Sequence, residues 1–140
     1  MLQRLACAQC HATLTGTIDV QPGVYPPGRE WSGYEPKPLT GAGYAIVSPN
    51  PILWSDDPQM KPPLQFAPQH WLNPVDVSGQ IENADNAGSL YGCCGPSGHG
   101  GPNQRCKSCG CIVGTLMADC WTDHVFIPQP DETYWIEESS

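Results

Sequence analysis

The sequence predicts a mostly β fold with little helix: a small, loop-rich antiparallel sheet domain that is closed by a zinc site. Three observations lead to this prediction. Two C-x-x-C motifs lie far apart in the chain, prolines are concentrated in the first half, and short runs of alternating apolar residues recur in the second.

A length of 140 residues is ordinary for one domain, so we expect residues 1–140 to form a single zinc-binding domain. Apolar residues make up only 39% of the chain, and it carries 15 glycines and 16 prolines, which leaves a modest core. Five tryptophans, five tyrosines and eight cysteines nevertheless argue against disorder. A bound metal ion would compensate for the thin core.

The zinc prediction rests on two knuckles, CAQC near the N-terminus and CKSCG in the last third of the chain. Each knuckle supplies two thiolates, and a structural zinc site needs four. We therefore expect one Zn²⁺ to be held by Cys7, Cys10, Cys106 and Cys109. Gly110 would take the positive φ that follows such a turn. His11 follows the first knuckle, where we expect a solvated loop residue; a ligand role is the alternative.

The N-terminus has no apolar signal region, and the chain has no run of 18 apolar residues, so we expect neither secretion nor a membrane span. Eight cysteines without a secretory signal favour metal ligands in a reducing, cytoplasmic compartment. If the chain were a mature secreted form, a framework of disulfides would be the alternative.

The formal net charge is −8, from 14 acidic and 6 basic residues. Nucleic-acid binding needs clustered Lys and Arg to neutralise phosphates, so we expect no nucleic-acid partner. The basic residues are instead scattered along the chain, at Arg4, Arg29, Lys37, Lys61, Arg105 and Lys107.

Residues 21–74 contain twelve of the sixteen prolines. Because proline lacks the N–H and fixes φ, no long helix fits here, and we expect an extended layer that lies over a sheet. Within it, residues 43–47 and 52–54 are the two predicted strand fragments. Residues 14–20, which follow the first knuckle and precede this proline-rich segment, are a further predicted strand.

Asn73 is a predicted N-cap, with Pro74 at the first helical position and Asp76 in the first turn. Gly79 would end this helix after little more than one turn. Residues 81–90 are polar and without periodicity, which predicts a flexible loop.

Residues 111–117 and 121–127 are predicted to form a hairpin. A kink or bulge at Gly114 would decide whether Cys120 can reach the glycine-rich loop that precedes the second knuckle. Residues 131–140 form an acidic tail, in which 133–136 could add an edge strand and 137–140 would fray.

Four cysteines lie outside the two knuckles: Cys93, Cys94, Cys111 and Cys120. A second metal site is possible, built from Cys93 or Cys94 and Cys120, with His99 or His124 completing the ligands. Cys111 fits the alternative of a buried free thiol that acts as a small apolar residue.

The two knuckles resemble those of β-tent proteins, namely yippee-like proteins, the cereblon ligand-binding domain and methionine-R-sulfoxide reductases. Besides the four knuckle cysteines, residues 109–115 (CGCIVGT) are similar to the second yippee knuckle and its strand. The resemblance implies a structural zinc ion. It does not carry over the reductase activity, because residues 118–121 do not match the strand that bears the catalytic cysteine in those enzymes.

These observations favour a zinc-stabilised binding or assembly module without catalytic residues of its own, with a protein partner or a larger assembly as its context. The tryptophans could form an aromatic binding site for peptides, prolines or cations, or could simply fill the core. They are Trp31, Trp54, Trp71, Trp121 and Trp135.

The alternative function is that of a thiol-dependent, oxidoreductase-like enzyme. Cys93 or Cys94 would be its nucleophile and His99 its base, because a reactive cysteine needs a neighbour that lowers its pKa. The glycines around these residues favour a flexible loop over a preorganised active site.

Overall fold

The computed structural model describes residues 1–23, 39–52, 64–84, 102–118 and 124–138. These residues contain nine strands and one turn of 3₁₀ helix, at Pro74–Asp76. The strands are β1 (Leu2–Cys7), β2 (Ile18–Pro22), β3 (Tyr44–Ser48), β4 (Gln69–Leu72), β5 (Ile81–Asn83), β6 (Gln104–Cys106), β7 (Ile112–Met117), β8 (Val125–Pro128) and β9 (Thr133–Glu137).

All nine strands belong to one sheet, in the order β5-β6-β7-β8-β4-β3-β2-β1-β9. The predicted mostly β fold with little helix is confirmed. The pairing is antiparallel except between β2 and β3, which are parallel. A parallel pair needs a crossover connection, and the long segment between these two strands supplies it. Among the described residues, no helix has the length and apolar character needed to cross a bilayer.

The sheet curls until strands far apart in its order come together. β1 and β6 lie near opposite ends of the order, yet the cysteines that end them, Cys7 and Cys106, belong to one buried cluster. The turn between β8 and β9 helps to close the curl. Gln129 N donates to Val113 O at 2.7 Å, and Ala8 N donates to Glu132 O at 2.9 Å.

Two apolar cores lie on the two faces of the central strands. In β8, Phe126 belongs to the inner core, whereas Val125 and Ile127 belong to the outer one, as the predicted alternation requires. The outer core also contains Ile52 and Leu64, which come from the proline-rich half of the chain. These residues cover a face of the sheet that would otherwise expose Trp71.

Gln69 anchors the covering segments to the sheet. Its side chain is fully buried, and its Oε1 accepts hydrogen bonds from Ile52 N at 2.9 Å and from Trp71 Nε1 at 2.8 Å. The amide nitrogen donates to the backbone of the segment before β4, at Phe66 O. A buried amide that bonds in this way fixes the covering layer in one position.

Several boundaries differ from the predictions. The first knuckle is preceded by β1, which the sequence analysis missed, and the next strand, β2, begins only at Ile18. Residues 81–83 form β5 instead of a polar loop. Ile52 is buried outside any strand, while residues 53–54 lie outside the described residues. Because β2 and β5 have only five and three residues, their alternation alone did not distinguish them from loops.

Glu137 and Glu138 are both bonded to β1, so the prediction that 137–140 fray is wrong for these two residues; residues 139–140 lie outside the described residues. The predicted edge strand is present as β9, in which Glu137 pairs with Gln3. Glu138 N donates to Leu2 O, and the Glu138 carboxylate forms an ion pair with Arg4.

A β-bulge lies beside Gly114, as the sequence suggested. Gln104 pairs with Gly114, whereas the next residue, Arg105, pairs with Ile112, so the register shifts by one. Beyond the bulge, β7 pairs with β8 to form the predicted hairpin. Cys120 lies outside the described residues.

The predicted N-cap at Asn73 is confirmed. Its Oδ1 accepts from Val75 N at 3.0 Å, and its Nδ2 donates to the carbonyl of Thr40 at 2.8 Å. Pro74 opens the 3₁₀ turn, and Asp76 accepts from Gly43 N at 2.9 Å. The turn is therefore fastened to the loop that leads into β3.

Replacing Asn73 with alanine should lower the free energy of unfolding by about 2 kcal/mol. The variant loses the cap and also leaves the Thr40 carbonyl without its buried donor. Urea unfolding measures the change. Ser78→Ala is the control, because Ser78 is exposed and makes one hydrogen bond to Val75 O, so about 0.5 kcal/mol or less is expected. Equal effects of the two substitutions would contradict this account.

Candidate metal centre

The first knuckle is a tight turn at the end of β1. Cys7 N donates to Ala12 O, and Cys7 O accepts from His11 N, both at 2.9 Å. His11 has a φ of 64°, in the left-handed region. Its Nδ1 lies 3.1 Å from Tyr134 Oη, so its ring is directed to β9. The ligand alternative for His11 is not supported.

The second knuckle repeats the first one. Cys106 N donates to Cys111 O, and Cys106 O accepts from Gly110 N, both at 2.8 Å. Gly110 has a φ of 80°, as predicted, and occupies the place that His11 has in the first knuckle. Both knuckles therefore fix their two sulfurs with the same backbone hydrogen bonds.

The four knuckle cysteines come together, as predicted. Their sulfurs all lie within 4.8 Å of one another. Across the two knuckles, Cys7 Sγ lies 3.6 Å from Cys109 Sγ, and Cys10 Sγ lies 3.7 Å from Cys106 Sγ. None of the five described cysteines forms a disulfide.

This geometry fits a tetrahedral metal ion. Four sulfurs bonded to a central Zn²⁺ at about 2.3 Å lie about 3.8 Å from one another, close to the two distances seen here. Cys7 and Cys106 are buried in the inner core, whereas Cys109 is exposed. One side of the site is thus open to a chelator.

Backbone N–H groups point at three of the sulfurs. Burial acts to raise the pKa of Cys7, but the N–H groups of Cys10 and Gln9, together with the thiols of Cys109 and Cys10, outweigh it and lower that pKa. The N–H of Ala12 faces Cys10, and that of Cys111 faces Cys109. Such donors stabilise thiolates.

Crowding of the thiols opposes this stabilisation. For Cys109, the N–H of Cys111 favours the thiolate, but desolvation and the three neighbouring thiols raise its pKa to about 12. For Cys10, the N–H of Ala12 also favours the thiolate, yet desolvation and the thiols of Cys106 and Cys7 raise its pKa. A divalent cation at the centre would remove the repulsion among the four thiolates.

Cys111 lies beside the cluster but is not part of it. Its thiol donates to Glu132 Oε2 at 2.9 Å, and this bond is the main reason that its pKa is raised to about 12. Gln9 Nε2 donates to the same oxygen at 3.3 Å. Glu132 therefore bridges the two knuckles, a role that the sequence did not indicate. Cys111 is a free thiol, as expected, but it is only partly buried, and because it donates to Glu132 it does not act as the small apolar residue that was predicted.

The residues of the possible second metal site, Cys93, Cys94, His99 and Cys120, lie outside the described residues, as do the thiol and base of the alternative enzyme. His124 is described. Its backbone carbonyl accepts from Leu39 N, and its Nε2 is buried with no hydrogen-bond partner in the described part of the chain.

The tryptophans divide between core and surface. Trp71 is fully buried, so the core interpretation holds for it. Trp135 is partly exposed and lines a cavity of about 190 Å³ between β9 and β4. The cavity walls also include Phe66, His70 and several prolines. Trp31, Trp54 and Trp121 lie outside the described residues.

His70 should make stability depend on pH below neutrality. Burial lowers its pKa from 6.5, so the unfolded chain takes up a proton before the folded chain does. Stability should therefore fall as the pH decreases through about 6.5 toward the lowered folded-state pKa, with a slope of at most about 1.4 kcal/mol per pH unit.

Urea unfolding of the native protein and of His70→Gln across this range tests the prediction. Subtracting the free energies of unfolding of the two proteins at each pH removes the effect of any acid-induced metal loss that both proteins share. The free energy of unfolding of the native protein relative to that of His70→Gln should increase as the pH rises toward about 6.5 and stay constant above it. Parallel pH profiles for the two proteins would contradict a role for His70.

No protein-family profile, no curated protein and no solved structure matches the chain. The four clustered cysteines in a small β-rich domain are consistent with a zinc-binding fold. The resemblance to β-tent proteins rests on the two knuckles and the strand after the second.

Proposed function

We propose that the protein is a binding or assembly module whose fold is stabilised by one structural zinc ion, without catalytic activity at the metal. The observation that carries the proposal is the cluster of four cysteine sulfurs, two from each end of the curled sheet. Four protein ligands fill a tetrahedral shell and leave no position for water or substrate, which is typical of structural sites.

The donor set narrows the choice of metal. Four thiolates in a tetrahedron suit zinc or iron, whereas calcium, magnesium and manganese prefer oxygen ligands. Zinc has no redox chemistry, so its contribution is to hold Cys7 and Cys10 against Cys106 and Cys109. It would also balance half of the charge of −4 that four thiolates would otherwise place in a chain of net charge −8.

The test is the metal content of protein purified without a chelator. Native mass spectrometry should find one zinc ion per chain bound through these cysteines. Replacement by Co²⁺ should give the intense visible absorption of tetrahedral cobalt thiolate. An iron-loaded protein with the colour of an iron–sulfur site would replace zinc in the proposal, and metal-free protein with four reactive thiols in its folded state would overturn it.

A further inference from the structure

The cavity beside β9 has the properties of a binding cleft. The rings of His70 and Trp135 lie 4.9 Å apart with an interplanar angle of 37°, and Phe66 adds a third ring to the wall. Thr133 supplies a hydroxyl, but that group already donates to Gln129 O at 2.8 Å. Among the described residues, no charged side chain lines this cleft, so the surface that they offer is aromatic and apolar.

β9, which forms one side of the cleft, is the last strand at one edge of the sheet. Ala8 N bonds to Glu132 O, and Glu138 N bonds to Leu2 O, so the even-numbered residues of this strand bond to β1. The backbone groups of Thr133, Trp135 and Glu137 therefore point away from β1. Among the described residues, no strand pairs with that side of β9.

The open edge is acidic. Glu137 is exposed and lies on the same face of β9 as Trp135, about 6.6 Å farther along the strand. Asp131, which precedes the strand, is exposed as well. The one described cation next to β9, Arg4, is paired with Glu138. An aromatic cleft with carboxylates beside it is complementary to a cation.

We propose that this edge and cleft bind an extended segment of a partner protein, which adds a strand to β9 and places an arginine side chain against Trp135. The inference rests on the proposed binding function and names the partner's chemistry. Backbone hydrogen bonds to Thr133, Trp135 and Glu137 would give affinity, and the cleft would give specificity. Arginine suits the site because its planar guanidinium stacks on aromatic rings and pairs with carboxylates.

A second copy of this chain fits the site less well than such a partner. Each copy carries a net charge of −8, so two copies repel each other, and the edge that they would share is itself acidic. Only six Lys and Arg residues are present in the whole chain. A basic, extended segment has the opposite charge and would be attracted.

The test uses a short fluorescein-labelled peptide of alternating threonine and valine with a central arginine, and fluorescence anisotropy with zinc-loaded protein. The same peptide with a central leucine should bind about twofold to thirtyfold more weakly, the range expected for a cation on an aromatic face. A version of the arginine peptide with methylated backbone nitrogens should not bind, because it cannot form the strand ladder.

Two substitutions distinguish an effect on binding in the cleft from an effect on folding. Trp135→Leu removes the ring and should weaken arginine-peptide binding about tenfold. Since Trp135 also packs against the core, the exposed Glu137→Lys is the variant that leaves folding untouched. It should weaken binding of the arginine peptide several-fold and strengthen binding of a peptide with a central glutamate. Tyr44→Leu, at an exposed tyrosine on β3, is the control and should bind as the native protein does.

Equal affinity for the arginine, leucine and glutamate peptides would overturn the proposed cation site. So would unchanged binding by Glu137→Lys, or dimerisation of the protein through β9 that excludes the peptide. If no peptide binds while the protein holds one zinc per chain and stays folded, the partner proposal fails and the structural zinc proposal stands. If protein without zinc still binds the arginine peptide, the structural zinc proposal fails and the partner proposal stands.

Discussion

Replacing Cys106 with serine should remove the metal and unfold the protein. Zinc binding in thiolate sites contributes about 10–16 kcal/mol, and a whole domain is stable by only about 5–15 kcal/mol, so a single lost ligand is enough to abolish folding. Cys106 has the added effect of lying in the inner core, with 1% of its surface exposed. Circular dichroism should show loss of the strand signal, and native mass spectrometry should find no bound zinc.

Cys111→Ser is the matched control. This cysteine follows the second knuckle by two residues, but its thiol bonds to Glu132 and not to the cluster. A serine hydroxyl can donate the same hydrogen bond, so the control should keep one zinc per chain and a nearly unchanged melting temperature. If Cys111→Ser loses the metal and Cys106→Ser keeps it, the four ligands have been assigned wrongly.

A chelator should reproduce the effect of the cysteine substitution without changing the sequence. Because Cys109 is exposed, we expect the ion to be accessible from that side. Unfolding after addition of a strong chelator should reverse when zinc is restored under reducing conditions. A protein that keeps its cooperative unfolding transition after complete metal removal would show that the sheet does not need the ion.

Gly114→Ala should be among the most destabilising substitutions outside the metal site, costing about 3 kcal/mol. A methyl group at this position would lie 2.4 Å from Phe126 Cζ and 2.6 Å from the backbone oxygen of Ile127. Phe126 is fully buried and the Ile127 backbone belongs to the strand ladder, so neither can move freely. Overpacking of this kind forces shifts in both strands.

The chain offers a control and a partial rescue for this substitution. Gly79→Ala has nothing within 4 Å of the added methyl group and should change stability by about 0.5 kcal/mol or less. Phe126→Leu should be destabilising alone but should cost less when combined with Gly114→Ala, since it removes the ring atoms of the clash. Urea unfolding in excess zinc measures all four proteins. A Gly114→Ala variant as stable as Gly79→Ala would refute the close contact.

The features that could be predicted from the sequence are those set by local spacing. A C-x-x-C turn fixes its own hydrogen bonds, so the knuckles and the positive φ of Gly110 follow from a few adjacent residues. The cap at Asn73 and the hairpin of β7 and β8 are equally local. The pairing of the knuckles with each other required one further premise, that zinc takes four ligands.

The features that could not be predicted depend on distant contacts. β4 is only four residues long and contains Gln69 and His70, so its sequence does not resemble a central strand. β4 can nevertheless be a central strand, because the side chain of Gln69 accepts hydrogen bonds from Ile52 and Trp71. The parallel pairing of β2 with β3 joins two strands that are more than 20 residues apart in the chain, and the bridge made by Glu132 exists only when the two knuckles have come together.

The span between the two knuckles bears on how the chain matures during synthesis. Cys10 and Cys106 are 96 positions apart, so at about 5–20 residues per second a ribosome needs roughly 5–20 s to make the second pair of ligands after the first. Throughout that interval the nascent chain exposes two reactive thiols and lacks β9, the strand that pairs with β1. The four clustered cysteines are therefore available together only after the second knuckle has been made, and a metal ion that needs all four cannot bind earlier.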